Sequence, residues 1–252
     1  MSRLLVIPAA GLGSRLGSTI PKVLVQVAGT SMLDRLLHLY RQWADRVIVV
    51  INPASADMVR AQVATRPDAT RIECVEQVSP TGMLDAILLG IPAGATYKPS
   101  SIWVTWCDQV AVHPKTIERL AARTSPRMDE AMVLPTVRQR EPYIHLERDD
   151  DGRIVRVLHR REGDDMPATG ESDMGLFALS PQTYFERLPE YAESVEVGRA
   201  TRERNFLPFI PWLAQIETVT TFPSESPMEA VGINTPQELA RVESYLRSLG
   251  RA

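Results

Sequence analysis

Leu4-Leu5-Val6-Ile7-Pro8-Ala9-Ala10-Gly11-Leu12-Gly13-Ser14-Arg15-Leu16-Gly17, followed by Pro21-Lys22, is the stretch that decides the reading of this chain. Four apolar residues without polar alternation fit a strand covered on both faces. A loop of small residues follows at once. In an open α/β sheet, ligands bind at the carboxyl ends of strands. Glycines there let backbone N–H groups approach a phosphate without a Cβ in the way. Arg15 can clamp phosphate oxygens with its planar fork, and Lys22 can offset charge that builds up during phosphoryl chemistry. Two other phosphate loops fail on spacing. A Walker loop needs G-x-x-x-x-G-K-[ST], which is absent. A dinucleotide fingerprint needs G-x-G-x-x-G, but Gly17 comes one residue late. Asn52-Pro53 also stands after the second apolar run, where that fingerprint needs an acid.

Outward from this loop, further β-branched runs recur at Val47–Ile51, Ile72–Val75, Ile102–Trp106 and Met132–Leu134. Helical patterns separate them. One opens at Ser31 with Asp34 three residues on, and carries Leu33, Leu36, Leu37, Tyr40 and Trp43 on one face. Others cover Ala54–Thr65, begin near Thr81-Gly82, and begin at Pro114. Such alternation predicts an α/β fold of three layers around a mostly parallel sheet. The second half reads differently. Ile144–Arg148 and Ile154–His159 flank Asp149-Asp150-Asp151-Gly152, which predicts an antiparallel hairpin. Residues 162–171 are polar and read as a mobile surface loop. Leu176–Leu179 and Val219–Phe222 read as strands; Pro181–Leu188, Phe206–Ala214 and Pro236–Leu249 read as helices. No repeat and no linker divides the chain. We expect one domain over residues 1–252, with a nucleotide-binding part over about 1–137 and an acceptor-binding, closing part over about 138–252.

Composition narrows the classes. The 252 residues are 44% hydrophobic and 23% charged, with a net charge of −3. A main partnership with nucleic acid would call for a basic chain, so none is expected. No apolar run approaches the ~20 residues that span a bilayer, so no membrane partner is expected either. The only cysteines, Cys74 and Cys107, form no C-x-x-C pair and fit reduced thiols in a cytoplasmic protein. The C-terminal helix, with Leu239, Val242, Tyr245 and Leu246 on one side, can pack internally or serve a homo-oligomer.

Three downstream blocks complete the pattern. Gln77-Val78-Ser79-Pro80-Thr81-Gly82 follows the third strand and opens a helix, whose free N–H groups suit a nucleotide. Asp108, in Trp106-Cys107-Asp108-Gln109, ends the fourth strand and is placed to hold Mg²⁺. Asn234, in Gly232-Ile233-Asn234-Thr235-Pro236, precedes the last helix and offers a neutral oxygen; Asn234 or Thr235 can also cap that helix.

In this order the blocks resemble the nucleoside-diphosphate-sugar pyrophosphorylases, or sugar-1-phosphate nucleotidyltransferases. The likeness is nearest to the uridylyltransferase domain of N-acetylglucosamine-1-phosphate uridylyltransferase and runs from Leu4 to about Tyr245. The resemblance implies a Rossmann-like nucleotidyltransferase fold with a sugar-binding subregion at the hairpin. It implies nucleotide contacts from Ala9, Ala10, Gly11, Gly13, Ser14, Gln77, Thr81 and Gly82. It makes Arg15 and Lys22 catalytic and Asp108 and Asn234 the ligands of magnesium. The substrates it implies are a nucleoside triphosphate, UTP first, and a sugar phosphate. The chain departs from the family at Cys107, which replaces a glycine. It departs again on the acceptor side, where Asp173 stands for an asparagine and His159 for a glutamate; Tyr143 and Glu147 lie on the same hairpin. Two other readings stay open at this point: a cytidylyltransferase acting on a polyol, isoprenoid or other small phosphate, and a non-catalytic nucleotide-sugar sensor.

Overall fold

The computed structural model describes residues 2–251 except 12, 19 and 125–127, with Ser14 described without its side chain. The chain opens with β1 (Arg3–Pro8), the small ribbon β2 (Gln26–Val27) and β3 (Thr30–Ser31), and α1 (Met32–Tyr40). Next come β4 (Arg46–Ile51), α2 (Ala56–Ala64), β5 (Ile72–Glu76), α3 (Met83–Leu88) and α4 (Ile91–Thr96). The middle holds β6 (Ser101–Thr105), α5 (Pro114–Arg123), β7 (Met132–Arg140), β8 (Ile144–Arg148) and β9 (Ile154–His159). The last third holds β10 (Thr169–Asp173), β11 (Leu176–Leu179), α6 (Leu188–Ser194), α7 (Phe209–Ala214), β12 (Val219–Pro223) and α8 (Pro236–Ser248).

Among the described residues, eight strands form one sheet. Its parallel part runs β5-β4-β1-β6, as the strand–helix alternation requires. The unbroken apolar run of β1 has the cause expected of a central strand. Leu5 and Ile7 pack into the core on one face of the sheet, Leu4 and Val6 into the core on the other. Each such buried aliphatic side chain contributes roughly 1.5–3 kcal/mol. α1 buries Leu33, Leu36, Leu37 and Tyr40, and Ser31 Oγ accepts the Asp34 N–H at its start. Trp43 lies past the helix end but still packs on that core.

One feature corrects the sequence-based expectation, and a second adds to the mostly parallel sheet it predicted. The segment read as a loop over 162–171 ends in a strand: β10 pairs antiparallel with β7, Asp173 opposite Thr136. It was hidden because it is mostly polar, yet Gly170 and Ser172 are buried against the hairpin. Second, β11 inserts antiparallel between β6 and β7, so the sheet is mixed on that side, with β12 parallel to β7 beyond. Met174-Gly175 separates β10 from β11 as a kink, with Gly175 at φ +66. The hairpin forms where the Asp-Gly turn predicted it, with Ile144 opposite His159. The helix begun near Pro181 widens into an i→i+5 turn over Thr183–Arg187 and continues as α6. The wide turn sits just before Pro189, which has no N–H to donate.

Candidate active site

The carboxyl ends of β1 and β6 and the entry to α8 meet at one point. Lys22 Nζ donates to Asp108 Oδ2 at 2.6 Å and to Asn234 Oδ1 at 2.8 Å. Arg15 Nη2 donates to the same Asn234 oxygen at 2.9 Å. Residues 86 and 212 positions from Lys22 in the sequence therefore share one ammonium. Each is held by its own element. Pro21 leads into a short 3-10 turn over Lys22–Leu24, anchored by the buried Val23. Gly13, at φ +63, lies so close that a Cβ there would stand 2.6 Å from Lys22 Cβ. Asp108 follows β6, and its backbone carbonyl accepts the Ile233 N–H at 3.3 Å. Gly232 passes the Asp108 carboxylate so closely that a Cβ would come within 3.1 Å of it.

The question of whether Asn234 or Thr235 caps α8 resolves cleanly. Thr235 Oγ1 accepts the Glu238 N–H, and Glu238 Oε2 accepts the N–H groups of both Thr235 and Asn234. The cap thus leaves the Asn234 side chain free to face the cations. The side chains of Lys22 and Asp108 are only 10% and 13% exposed. Burial alone would pull the Lys22 pKa down; the Asp108 carboxylate beside it outweighs this and raises it above its ordinary value. The lysine therefore stays an ammonium. Cys107 points into the core, and burial pushes its thiol up to about 12, so it is no nucleophile.

The Gln77–Gly82 block, expected to contact the nucleotide, is a tight turn. Gln77 is buried and its Nε2 donates to the Gly82 carbonyl at 3.1 Å. Gly82, at φ +126, precedes α3; a Cβ there would meet the Arg204 carbonyl oxygen at 2.4 Å. Thr81 is exposed, and its carbonyl accepts the Arg204 N–H at 2.8 Å. In the first loop Ala9 donates its N–H to Val50, and the Ala10 carbonyl accepts from Asn52 Nδ2. Gly11 stands open, with nothing within 4 Å of a Cβ position. Leu12 and the side chain of Ser14 lie outside the described residues.

Of the residues expected to bind the acceptor, Tyr143 and His159 meet edge to face at 5.2 Å between ring centres. Asp173 sits on the neighbouring strand, buried, and its Oδ1 accepts the Gly175 N–H at 2.8 Å. Burial raises its pKa to about 6, against that hydrogen bond. Glu147 is exposed on β8 and the structure gives it no partner in this group. Sequence reasoning missed Arg204 and Asn205, which touch the Gln77–Gly82 turn and His159 respectively. No motif marks them.

The oxygens of Asp108 and Asn234, held around one cation, are the donor type that suits Mg²⁺. Among the described residues, no group of three or more His, Cys, Asp or Glu side chains is arranged for a metal, so any ion here would rely on substrate oxygens too. A cavity of about 530 Å³ lies elsewhere, against Asp34, Arg35, Arg66 and Arg251, and includes none of these residues. Chemistry, rather than hollow volume, marks the site.

A family model described as the MobA-like NTP transferase domain matches residues 5–203. The chain belongs to that family. It is a nucleotidyltransferase. Over 249 residues it is 29% identical to the bifunctional protein GlmU of Pseudomonas putida strain GB-1, covering 97% of this chain and 52% of that protein. It is 32% identical over 182 residues to GlmU of Pseudomonas syringae pv. tomato, covering 71% of this chain and 38% of that protein. The chain thus spans about half the length, or less, of these curated relatives. Among solved structures it is similar to the inositol-1-phosphate CTP transferase from T. maritima (TM-score 0.72, 15% identity, 100% of this chain, 97% of that one). It is also similar to HddC from Yersinia pseudotuberculosis complexed with GMP-PN (TM-score 0.66, 19% identity, 97% and 99%). At these identities the structures share the transferase fold. No helix among the described residues is long and apolar enough to cross a membrane.

Proposed function

We propose that this transferase joins a nucleoside triphosphate, UTP first, to a sugar 1-phosphate and releases pyrophosphate, with Mg²⁺ as cofactor. An oxygen of the acceptor phosphate attacks the α-phosphorus, and the bond from that phosphorus to the pyrophosphate oxygen breaks. The observation that carries the reading is the Lys22 ammonium shared by Asp108 and Asn234, with Arg15 on the same asparagine oxygen. With two cations, one carboxylate and one neutral amide, this is a centre of net positive charge suited to phosphoryl chemistry, where positioning and neutralisation supply most of the rate. Lys22 offsets charge on the α-phosphoryl group, and Arg15, exposed at the rim, holds the leaving pyrophosphate. Gly11 and Gly13 let the loop backbone approach the phosphates, while the Gln77–Gly82 turn takes the base. Asp108 and Asn234 would hold magnesium, which when bound supplies further neutralisation of the phosphates. Tyr143, His159 and Asp173 line the acceptor side.

Uridylyl transfer is favoured by the GlmU relatives. Cytidylyl transfer to a polyol or other small phosphate is the second reading, favoured by His159 and Asp173 on the acceptor side. Pyrophosphate release, measured over four triphosphates against sugar 1-phosphates and polyol phosphates with and without Mg²⁺, decides between them. Tight nucleotide binding without release for any pair would overturn both and leave a sensor.

A further inference from the structure

Residues 198–205 form a strap between the base turn and the acceptor hairpin. The strap folds on itself, with Gly198 N–H donating to Glu203 and Arg202 N–H to Gly198. At one end Ala200 N–H donates to Glu162 Oε2 at 2.9 Å, beside the end of β9. At the other, Arg204 is built into the base turn. Its N–H donates to Thr81, its carbonyl accepts from Leu84, and its guanidinium donates to Asp85 Oδ1 and to the Ala192 carbonyl. The next residue turns the other way. Asn205 Oδ1 accepts the Leu207 N–H at 3.2 Å, which fixes the orientation of the amide. Its Nδ2 therefore faces His159 Nδ1, at 3.1 Å. An amide NH₂ can only donate, so Nδ1 must accept, and the ring proton must sit on Nε2. Phe206, fully buried against Trp106 and Phe177, pins the strap behind this contact.

We propose that Arg204-Asn205 is a positioning bridge, in which Asn205 holds His159 as a neutral Nε2–H donor toward the acceptor and Arg204 ties that histidine to the base turn. It rests on the acceptor role given to His159 above. His159 has the charged groups Arg161, Glu162 and Asp164 about it and the Tyr143 ring on its edge. Asp164 is engaged by the His159 backbone N–H, and Glu162 by Ala200, so Asn205 is the group that orients the ring itself. A ring that donates from Nε2 and cannot accept there pairs with an acceptor's oxygen lone pair, whether of a carboxylate, carbonyl, phosphate or hydroxyl.

The test uses the whole chain. In ¹⁵N-labelled protein, with the His159 signals assigned by their loss in His159→Gln, the expected pattern is a neutral ring protonated on Nε2. Asn205→Asp, which can only accept, moves the proton to Nδ1. Asn205→Ala raises the acceptor KM about 10-fold, the order of one lost hydrogen bond, and leaves the triphosphate KM within about 2-fold. A wild-type ring protonated on Nδ1 overturns the bridge, as does an Asn205→Ala enzyme whose two KM values rise together or stay unchanged. The spectra need no turnover. An inactive wild type with the expected ring pattern therefore sinks the transferase chemistry assigned to the site and leaves the bridge standing.

Discussion

Lys22 is the residue on which the charge balance of the site turns. Its ammonium sits between two oxygens from distant parts of the chain. Removing such a charge donor costs about 10²–10³ in turnover. Lys22→Ala is expected to show that loss in a pyrophosphate-release assay while keeping its circular dichroism; a variant with wild-type turnover would disprove the role. Stripping the lysine also strands a largely buried carboxylate, a change that costs roughly 3–5 kcal/mol for buried pairs. Lys22→Ala with Asp108→Ala should therefore melt higher than Lys22→Ala alone. Asp173 makes a second residue-scale prediction. Its folded pKa, about 6, lies above its ordinary 3.8. A carboxyl raised on folding favours the native state below the lower value and loses that favour as pH rises through the upper one. Asp173→Asn keeps an acceptor for the Gly175 N–H without the buried charge. Its unfolding free energy from urea titration at pH 7 should exceed the wild type by up to about 3 kcal/mol, with the difference closing below pH 4.

At the scale of elements, turns do the positioning. Gly13 and Gly17 share φ +63, but only Gly13 faces Lys22. Both alanine variants should lose roughly 1–2 kcal/mol of stability to left-handed backbone. Only Gly13→Ala should also lose turnover, by about 10²-fold, because it displaces the lysine. Equal activity in the two would remove the glycine from the site. The elements also show how far the residues alone could be read. β1 and its glycine loop were plain, because an apolar run buried on both faces and a loop of small residues leave few alternatives. Asp108 and Asn234 were legible as strand-end and helix-entry residues. β10 was not, because Thr169-Gly170-Glu171-Ser172-Asp173 satisfies its polar atoms on neighbours far along the chain. Arg148 takes up Glu171 with two hydrogen bonds, and Ser172 Oγ donates to Ile144. No local pattern encodes such partners. The strap from Gly198 to Asn205 escaped for the same reason.

For the whole molecule, the sheet itself joins the early and late halves of the chain. β11 lies between β6 and β7, and β12 covers β7 beyond. A chain ending at residue 137 would leave β6 and β7 without these neighbours. It is expected to give the spectrum of an unfolded or aggregated protein, while the full chain unfolds in one cooperative step. A folded, soluble fragment would show that the first part is independent. The ammonium between Asp108 and Asn234 has a consequence at this scale as well. Among the described residues no acidic cluster stands ready for a metal, and the Asp108 carboxylate already has Lys22 as its partner, so the resting centre holds together on the chain's own charges. Prolonged chelation should leave its melting temperature unmoved, and a batch purified in EDTA should regain full turnover as soon as the ion returns.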